Sequence, residues 1–564
     1  MIAAGLTALG SLDGSPIDPD DARVLDLEAE PTSTFVVSTG FHPALDHARR
    51  DDAAGVTAFL GRTVPSDAYV RLLDLASPGR VPADRVPADR VPGDWVTVTW
   101  EAHECRLHVR TSAETGAPLY LATDGTRVAL APTIRQLARL GWIGHEVDAE
   151  ALMYGLGRAP LRERLGARTF LGNVWKIAPN TQHEVERHRH VVTTAQIEQP
   201  SPWRGSFDGA VAHLRRLLEA GVSRDLSRHR SVALELSGGL DSSALGWLIA
   251  GQRRDGQDIV AMTSVAPPTS AERDDRMLAA AVAERLGFDL ELVSPAQDAN
   301  VYRPTDVTFE LHESPLVGPR HYLYAAFDRT AADHRADATF NGMAGEFSLT
   351  RPWRLVGRRE RLANMVSPNR MLRPDQAFHP RVRDHVLASC PTVVDVYLRA
   401  RGSRRMVGYI PGWDKLAHGP MARLDGTARY TPFRNPDAIA FAASLPPEYF
   451  ARDGYERAIV RAMTAGGLPD IVRLRTDKTP FSPDYYERMR RDAPRALARL
   501  DHHRTTAAAD WLDLDWLEGA LSGIEHQQLN PATASEIQVT AMTAEWFDWW
   551  DRQRQSALRG ARRG

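Results

Sequence analysis

The sequence predicts an α/β protein in two parts: an antiparallel, β-rich first part and a doubly wound parallel sheet flanked by helices in the second. Three observations carry this reading. Residues 1 to about 195 hold short alternating runs, such as Trp95-Val96-Thr97-Val98-Thr99-Trp100, and few long helical patterns, as antiparallel sheets do. From Ser231 onward, strand-like runs alternate with helical ones, the pattern of a parallel sheet that binds ligands at the carboxyl ends of its strands. Within that part, SVALELSGGLDSSAL (Ser231 to Leu245) joins a strand to a helix through two adjacent glycines.

At 564 residues the chain is long enough for roughly two to four domains. A net charge of −3 gives no reason to expect a nucleic acid or an anionic membrane as partner. Two cysteines, Cys105 and Cys390, make neither a disulfide framework nor a zinc site, so a reduced, cytoplasmic setting is expected. No secretory signal and no apolar run of about 18 residues is apparent, which reads as a soluble protein. Of 69 basic residues only Lys176, Lys415 and Lys478 are lysine. A lysine kept in so arginine-rich a chain points to a need for a compact ammonium.

In the first part, Cys105 to Val109 reads as a further strand with Cys105 inside it. The pentapeptides Arg80 to Asp84, Arg85 to Asp89 and Arg90 to Asp94 repeat with a proline in each, which suits an exposed loop. Gly116 to Ala122, Asp124-Gly125 and Val128 to Ala131 form a hairpin pattern. A helix then ends near Leu140-Gly141, followed by His145 to Leu152, Thr169 to Val174 and Ile177 to Asn180. Glu198 to Pro202 reads as a linker, giving domains 1–198 and 207–556.

In the second part, Phe207 to Arg224 is a helix with Val211, Leu214 and Leu218 on one face. Ser231 to Glu235 is a strand, Ser237 to Ser243 a turn, and Ala244 to Ile249 helical. Asp258 to Val265 is a strand, and Thr269 to Glu272 reads as a capping box for a helix to Leu286. Asp289 to Val293 and Ala336 to Asn341 are further strands, and His321 to Ala332 is a helix between them. Residues 350 to 425 carry no recognisable motif. Ser535 to Trp550 reads as an amphipathic helix whose tryptophans pack in the core, and Arg559 to Arg563 as a basic tail.

The glycines of Ser237-Gly238-Gly239-Leu240-Asp241-Ser242-Ser243 let backbone approach a ligand, and the helix start offers free N–H groups to an anion. This is a phosphate cradle, but not GxxxxGK[ST]. SGGLDSS resembles the pyrophosphate loop of ATP pyrophosphatases, which split ATP into AMP and pyrophosphate. The resemblance implies that Ser237, Ser242 and Ser243 and the loop amides hold phosphate, with Asp241 on Mg²⁺, a cation that takes hard oxygen ligands.

Other stretches extend the likeness to asparagine synthetases. The order of the Pro118-Leu119-Tyr120, Val147-Asp148 and Thr169 to Asn180 segments resembles the second half of their N-terminal domain, a glutaminase-like domain of the Ntn type. Glutamine-dependent members use a cysteine exposed after Met1; here Met1 is followed by Ile2. The implication is a retained domain without glutaminase activity.

Asn341 to Phe347 resembles the family's glycine-rich sGegsDE turn, which places Glu346 on the second metal carboxylate. Met343 falls where asparagine synthetases carry a catalytic glutamate and β-lactam synthetases a tyrosine. Pro432 to Asn435, Arg457 to Met463 and Leu468 to Lys478 resemble the family's later motifs, which imply that Lys478 reaches the pyrophosphate and the acyl centre. By the same resemblance Leu236, Ser264, Val265 and Gly342 hold adenosine.

The closest likeness is to lasso peptide cyclases, which implies ATP, Mg²⁺, a precursor peptide substrate, a leader-binding protein and a leader peptidase. A β-lactam synthetase-like ligase, another asparagine synthetase-related amide ligase and a degenerate peptide-binding scaffold remain as alternatives.

Overall fold

The computed structural model describes residues 6–25, 27, 33–39, 46–52, 55–62, 94–112, 119–144, 146–156, 167–194, 201–268, 270, 273–349, 427–477, 482–526 and 529–561. The pentapeptide repeat, the capping-box residues Thr269, Ala271 and Glu272, Cys390 and Lys478 lie outside the described residues.

The first part is antiparallel, as its alternation predicts. Strands β1 (Leu6–Ser11), β2 (Phe35–Thr39), β3 (Asp46–Asp52), β4 (Gly55–Arg62), β5 (Asp94–Glu101), β6 (Arg106–Thr111), β7 (Tyr120–Thr123), β8 (Arg127–Ala131), β9 (Val174–Lys176), β10 (Thr181–Glu186) and β11 (Arg189–Thr194) build it. Among the described residues they form two sheets, ordered β2-β1-β8-β7-β9 and β11-β10-β6-β5-β4-β3. The sheets share a core to which Ala8, Val98, Val109, Leu121, Leu130 and Val185 contribute.

Because strand side chains alternate, Tyr120, Ala122, Ala129 and Ala131 leave the first sheet on its other face and join a second core with Phe170 and the C-terminal helix. That sheet is therefore covered on both sides. Cys105 does not lie within a strand: it ends the turn between β5 and β6, at φ +47°, with its thiol 3.7 Å from the Ala102 carbonyl. The β-branched and apolar run resumes only at Leu107, so the hairpin breaks before it.

The second part is a parallel sheet of β12 (Ser231–Glu235), β13 (Asp258–Ser264), β14 (Asp289–Val293), β15 (Ala338–Asn341) and β16 (Ala428–Tyr430). Their order is β14-β13-β12-β15-β16, and every pairing is parallel. With β12 in the middle and its neighbours on either side supplied by later strands, the chain switches direction across the sheet at the β12–β15 boundary. In such sheets a crevice opens at that point, at the carboxyl ends of the strands.

Helices α1 (Phe207–Leu226), α2 (Leu240–Gln252) and α3 (Arg276–Leu286) share one core with Leu234 and Leu236. Helices α4 (Asp306–His312) and α5 (His321–Asp333) contribute to the other core, with Ala233. Two expected starts differ. Helix α2 begins at Leu240, not Ala244, because Gly239 supplies an extended N-cap and the chain enters the helix at once. Helix α3 begins at Arg276, with Asp275 as its N-cap, beyond the supposed capping box. There the Asp274 carboxylate accepts the Ala266 N–H (2.8 Å) and the Arg276 N–H (3.1 Å), which turns the chain into the helix.

Helix α6 (Gly345–Ser348) follows β15, and after β16 come α7 (Pro436–Ser444), α8 (Ala458–Met463), α9 (Asp470–Arg473), α10 (Tyr485–Leu497), α11 (Leu500–His503), α12 (Leu514–Ser522) and α13 (Pro531–Ala561). Helix α13 runs through the expected basic tail as far as Ala561. Its Trp546, Phe547, Trp549 and Trp550 are all buried, as the sequence leads one to expect. A large aromatic buries about 150–250 Å², an upper bound of about 4–6 kcal/mol each by area.

The tryptophans also join the two parts. Trp546 packs on Phe170 (5.8 Å between rings), while Arg135 lies over Trp549 and donates to Glu313 (2.8 Å). No helix among the described residues is long and apolar enough to cross a membrane.

One buried charge cluster sits on the Ala233 side of the sheet. Arg429 of β16 pairs with Asp328 of α5, and Glu235, the last residue of β12, lies within their electrostatic reach. Two carboxylates here meet one guanidinium. Burial pushes the Glu235 carboxyl up to about 7, opposed by Arg429 and reinforced by Asp328. A folded-state value raised above the ordinary one stabilises the fold fully below about pH 4.5 and loses that contribution as pH rises through about 7. Glu235→Gln is expected to flatten the fall in melting temperature between pH 5 and pH 8 relative to the parent chain. Thermal unfolding across that range tests this, and equal slopes for the two proteins would contradict it.

Candidate active site

The crevice is built by two loops, one leaving β12 and one leaving β15. Leu236 is fully buried and its N–H donates to the Met262 carbonyl (2.8 Å). The sheet pairing thus holds one residue past β12 before the chain turns away. At Gly238 the backbone takes φ +72°, and a Cβ there would lie 2.9 Å from Leu278 and 3.0 Å from the Ala279 nitrogen. Only glycine fits this turn against the start of α3.

The loop serines are largely turned inward. The Ser242 hydroxyl accepts the Ser237 N–H (3.1 Å) and donates to the Gly239 carbonyl (3.1 Å), with the Ser237 hydroxyl 2.9 Å away. Ser243 is fully enclosed, and its hydroxyl has no partner among the described residues. The groups left for an anion are the backbone N–H groups at the start of α2. No side chain caps that helix, and such a terminus suits phosphate.

The second loop lies directly on the first. A Cβ on Gly342 would sit 2.8 Å from the Ser242 Cα and 2.9 Å from its nitrogen. A Cβ on Gly345 would sit 2.6 Å from a carboxylate oxygen of Asp241. Asn341, buried beneath, accepts the Met343 N–H (3.2 Å) and the Thr431 hydroxyl (3.2 Å) and so holds the turn. Ala344 completes it at φ +62°.

Of Glu346 only the backbone is described, as the second residue of α6. The fold nevertheless brings Asp241 against the residue that precedes it. Ser264, the last residue of the neighbouring strand β13, and Val265 after it are both buried, and the Val265 N–H donates to the Val293 carbonyl (3.0 Å). Leu236, Ser264, Val265 and Gly342 therefore share the carboxyl edge of the sheet.

Two arginines to which the sequence reading assigns no role flank the loop. Arg457, the N-cap of α8 at φ +58°, forms an ion pair with Asp241. Burial, and secondarily Arg461, lowers its pKa. Arg475 pairs with Asp275 (2.8 Å), whose carbonyl borders Gly238, and with Asp477 (2.9 Å); these bonds raise its pKa. Arg461 ties the two segments together through the Arg473 carbonyl and the Arg475 carbonyl (2.8 Å). The signal that could have found Arg457 and Arg475 is their place in the same arginine-containing runs that lead to Lys478.

An uncapped helix start, a carboxylate against a glycine-rich turn and flanking arginines meet in this crevice. Residues 213–347 and 421–550 match the asparagine synthase family model. The second part of this chain is thus similar to that family over these residues. Members of the family are ATP-dependent ligases that form AMP and pyrophosphate. No curated protein matches the chain.

Among solved structures, the glutamine phosphoribosylpyrophosphate (PRPP) amidotransferase of B. subtilis, complexed with ADP and GMP, is similar at 10% identity. The likeness covers 53% of this chain and 62% of that one, with a TM-score of 0.18, too low to bear on the fold. The chain thus spans about three fifths of the length of that structure.

Contact between the two loops generates a prediction. Overpacking of this kind costs about 1–3 kcal/mol, so Gly342→Ala is expected to weaken ATP binding by about tenfold or more. Gly251→Ala on α2, where a Cβ meets nothing within 4 Å, serves as the control and should leave affinity unchanged. Calorimetry with a non-hydrolysable ATP analogue distinguishes them; parental affinity in Gly342→Ala would show that the loops part freely.

Proposed function

We propose that this chain is a lasso peptide cyclase: it adenylates an Asp or Glu side-chain carboxylate of a precursor peptide and closes a macrolactam ring with the peptide's own N-terminal amine. The reading rests on the match to the asparagine synthase family and on the sequence likeness described above. Met343 stands where related ligases place a glutamate or a tyrosine, which weighs against asparagine and β-lactam synthesis. The observation that carries the chemistry is the placement of the Asp241 carboxylate against Gly345, beside the uncapped start of α2.

ATP is a co-substrate. A peptide carboxylate oxygen bonds to the α-phosphorus while the bond from that phosphorus to the bridging oxygen breaks, releasing pyrophosphate. The amine nitrogen then bonds to the acyl carbon, AMP leaves with the electron pair of the cleaved C–O bond, and the nitrogen gives up a proton. The loop amides and the start of α2 hold the departing pyrophosphate, where preorganised donors act on the charge that develops. Arg475 adds positive charge beside the loop, and the family resemblance implies that Lys478 reaches the pyrophosphate.

The donor set fits Mg²⁺: a hard carboxylate oxygen beside a phosphate cradle, with Gly342 and Gly345 leaving the space a Cβ would fill. Asp241 and Glu346 would hold it, and the ion would supply charge neutralisation of the phosphates. Arg457, which pairs with Asp241, would turn to phosphate where a cation took that carboxylate. In this reading the first part is a glutaminase-like domain, and a leader-binding protein and a leader peptidase prepare the peptide.

Asp241→Ala and Lys478→Ala are each expected to abolish ATP–pyrophosphate exchange while the chain stays folded by circular dichroism. Full exchange by either variant would sink the ligase mechanism. With a supplied core peptide, mass spectrometry should show ATP-dependent loss of one water from the peptide itself. Active exchange that never yields a dehydrated peptide would keep the ligase and discard the cyclase.

A further inference from the structure

Away from the crevice, the segment following β14 runs across the C-terminal helices and encloses a cavity of about 230 Å³ with α10, α11, α12 and α13. One wall is apolar, formed by Ala496, Leu500, Leu517, Leu521 and Ala541. The opposite wall is polar. Its backbone is fixed: the Val301 N–H donates to the enclosed Asp492 (3.0 Å), Gln538 donates to the Val301 carbonyl (2.8 Å), and the Tyr302 hydroxyl donates to Met489 (2.9 Å).

The charges on this wall do not cancel. Glu545 takes Arg499 through both oxygens (2.9 Å each), His503 (3.2 Å) and Arg303 (3.5 Å). Asp548 takes Arg499 and His502, each at 2.7 Å. His502, His503 and Asp548 lie close enough to share a metal ion, but Arg499 already supplies the cation these carboxylates need.

Arg495 is left over. It lines the cavity and makes no hydrogen bond or ion pair with any described residue. Asn300 lines it too; its carboxamide oxygen takes the N–H groups of Tyr302 (2.8 Å) and Arg303 (3.2 Å), which leaves its NH₂ uncommitted. An arginine without partners among the described residues and an asparagine with its NH₂ uncommitted thus line the same cavity as Ala496, Leu500, Leu517, Leu521 and Ala541.

We propose that this cavity binds a carboxylate carried on an apolar stem, with the carboxylate on Arg495 and Asn300 and the stem on Leu500, Leu517 and Leu521. Guanidinium recognises carboxylate through paired, charge-assisted bonds. A cavity of about 150 Å³ accepts benzene, so this one has room for a somewhat larger stem, on the scale of a leucine side chain with its backbone or a short alkyl acid. A peptide carboxy terminus and a free acid share this chemistry. The site is separate from the adenylation reading and stands or falls without it.

Calorimetric titration of the full chain, without ATP, with N-acetyl-leucine, hexanoate and N-acetyl-leucinamide is the test. At least one acid is expected to bind, and to bind about tenfold more tightly than the amide, a difference of about 1.4 kcal/mol. N-acetyl-leucine alone identifies a peptide carboxy terminus; hexanoate alone identifies a free acid. Arg495→Gln, a change at an exposed position, should lose about tenfold in acid affinity with an unchanged melting temperature, and Leu517→Trp should block binding by filling the cavity. Absence of binding by both acids, equal binding of acid and amide, or undiminished affinity in Arg495→Gln overturns the proposal.

Discussion

The close approach of two backbone turns is the constraint on which the rest of the site depends. Gly342 lies so near Ser242, and Gly345 so near Asp241, that neither position has room for a Cβ. This contact exists because β12 and β15 are parallel neighbours, with Glu235 level with Asn341, so their outgoing loops leave the sheet side by side. Had β15 paired elsewhere, the carboxylate of Asp241 would face no second loop. Sheet order thereby becomes chemistry. The helices behind the sheet fix that order, since Leu234 and Leu236 can be buried only with α1 and α2 packed over them.

Electrostatics completes what the backbone begins. Asp241 is held by Arg457, and the cationic residues around it are tied to one another through backbone carbonyls and to Asp275 and Asp477. Arginine serves this purpose because its planar fork can bridge two acceptors and keep its charge when partly buried. On the opposite side of the sheet, Glu235, Arg429 and Asp328 form a second buried cluster with one cation for two acids. Glu235 is the last residue of β12, the strand from which the Ser237–Ser243 loop leaves.

Much of this was legible in the sequence, and the failures have physical causes. Ser231–Glu235 and Asp289–Val293 appear with the expected bounds because apolar residues bounded by polar turns leave little choice of ends. The start of α2 was not legible: Asp241, Ser242 and Ser243 have turn-like side chains, and only the fold reveals that with Leu240 they make its first turn. Strand β16 escaped because Ala428-Arg429-Tyr430 has no periodicity and its arginine is buried only by virtue of Asp328. Helix α10 escaped because its arginines conceal an apolar face, with Tyr485, Met489 and Ala493 buried among them. The identity of Asp241 as a site residue came from the motif; its pairing with Arg457 required folding together residues more than two hundred positions apart.

Backbone strain is gathered at this same carboxylate. Gly238, Ala344 and Arg457 all adopt positive φ, at +72°, +62° and +58°, and two of the three carry a Cβ that disfavours it by about 1–2 kcal/mol. Ala344 precedes Gly345, which touches Asp241, and Arg457 binds Asp241 directly. Such conformations persist where surrounding bonds over-determine them, and they mark sites where the strain has a use. Here the bonds are identifiable: Asn341 fixes the turn before Ala344, and the ion pair with Asp241 fixes Arg457. Two strained residues from separate segments of the chain, one after β15 and one at the start of α8, therefore converge on the same carboxylate, and each is held there by a bond that the other does not supply.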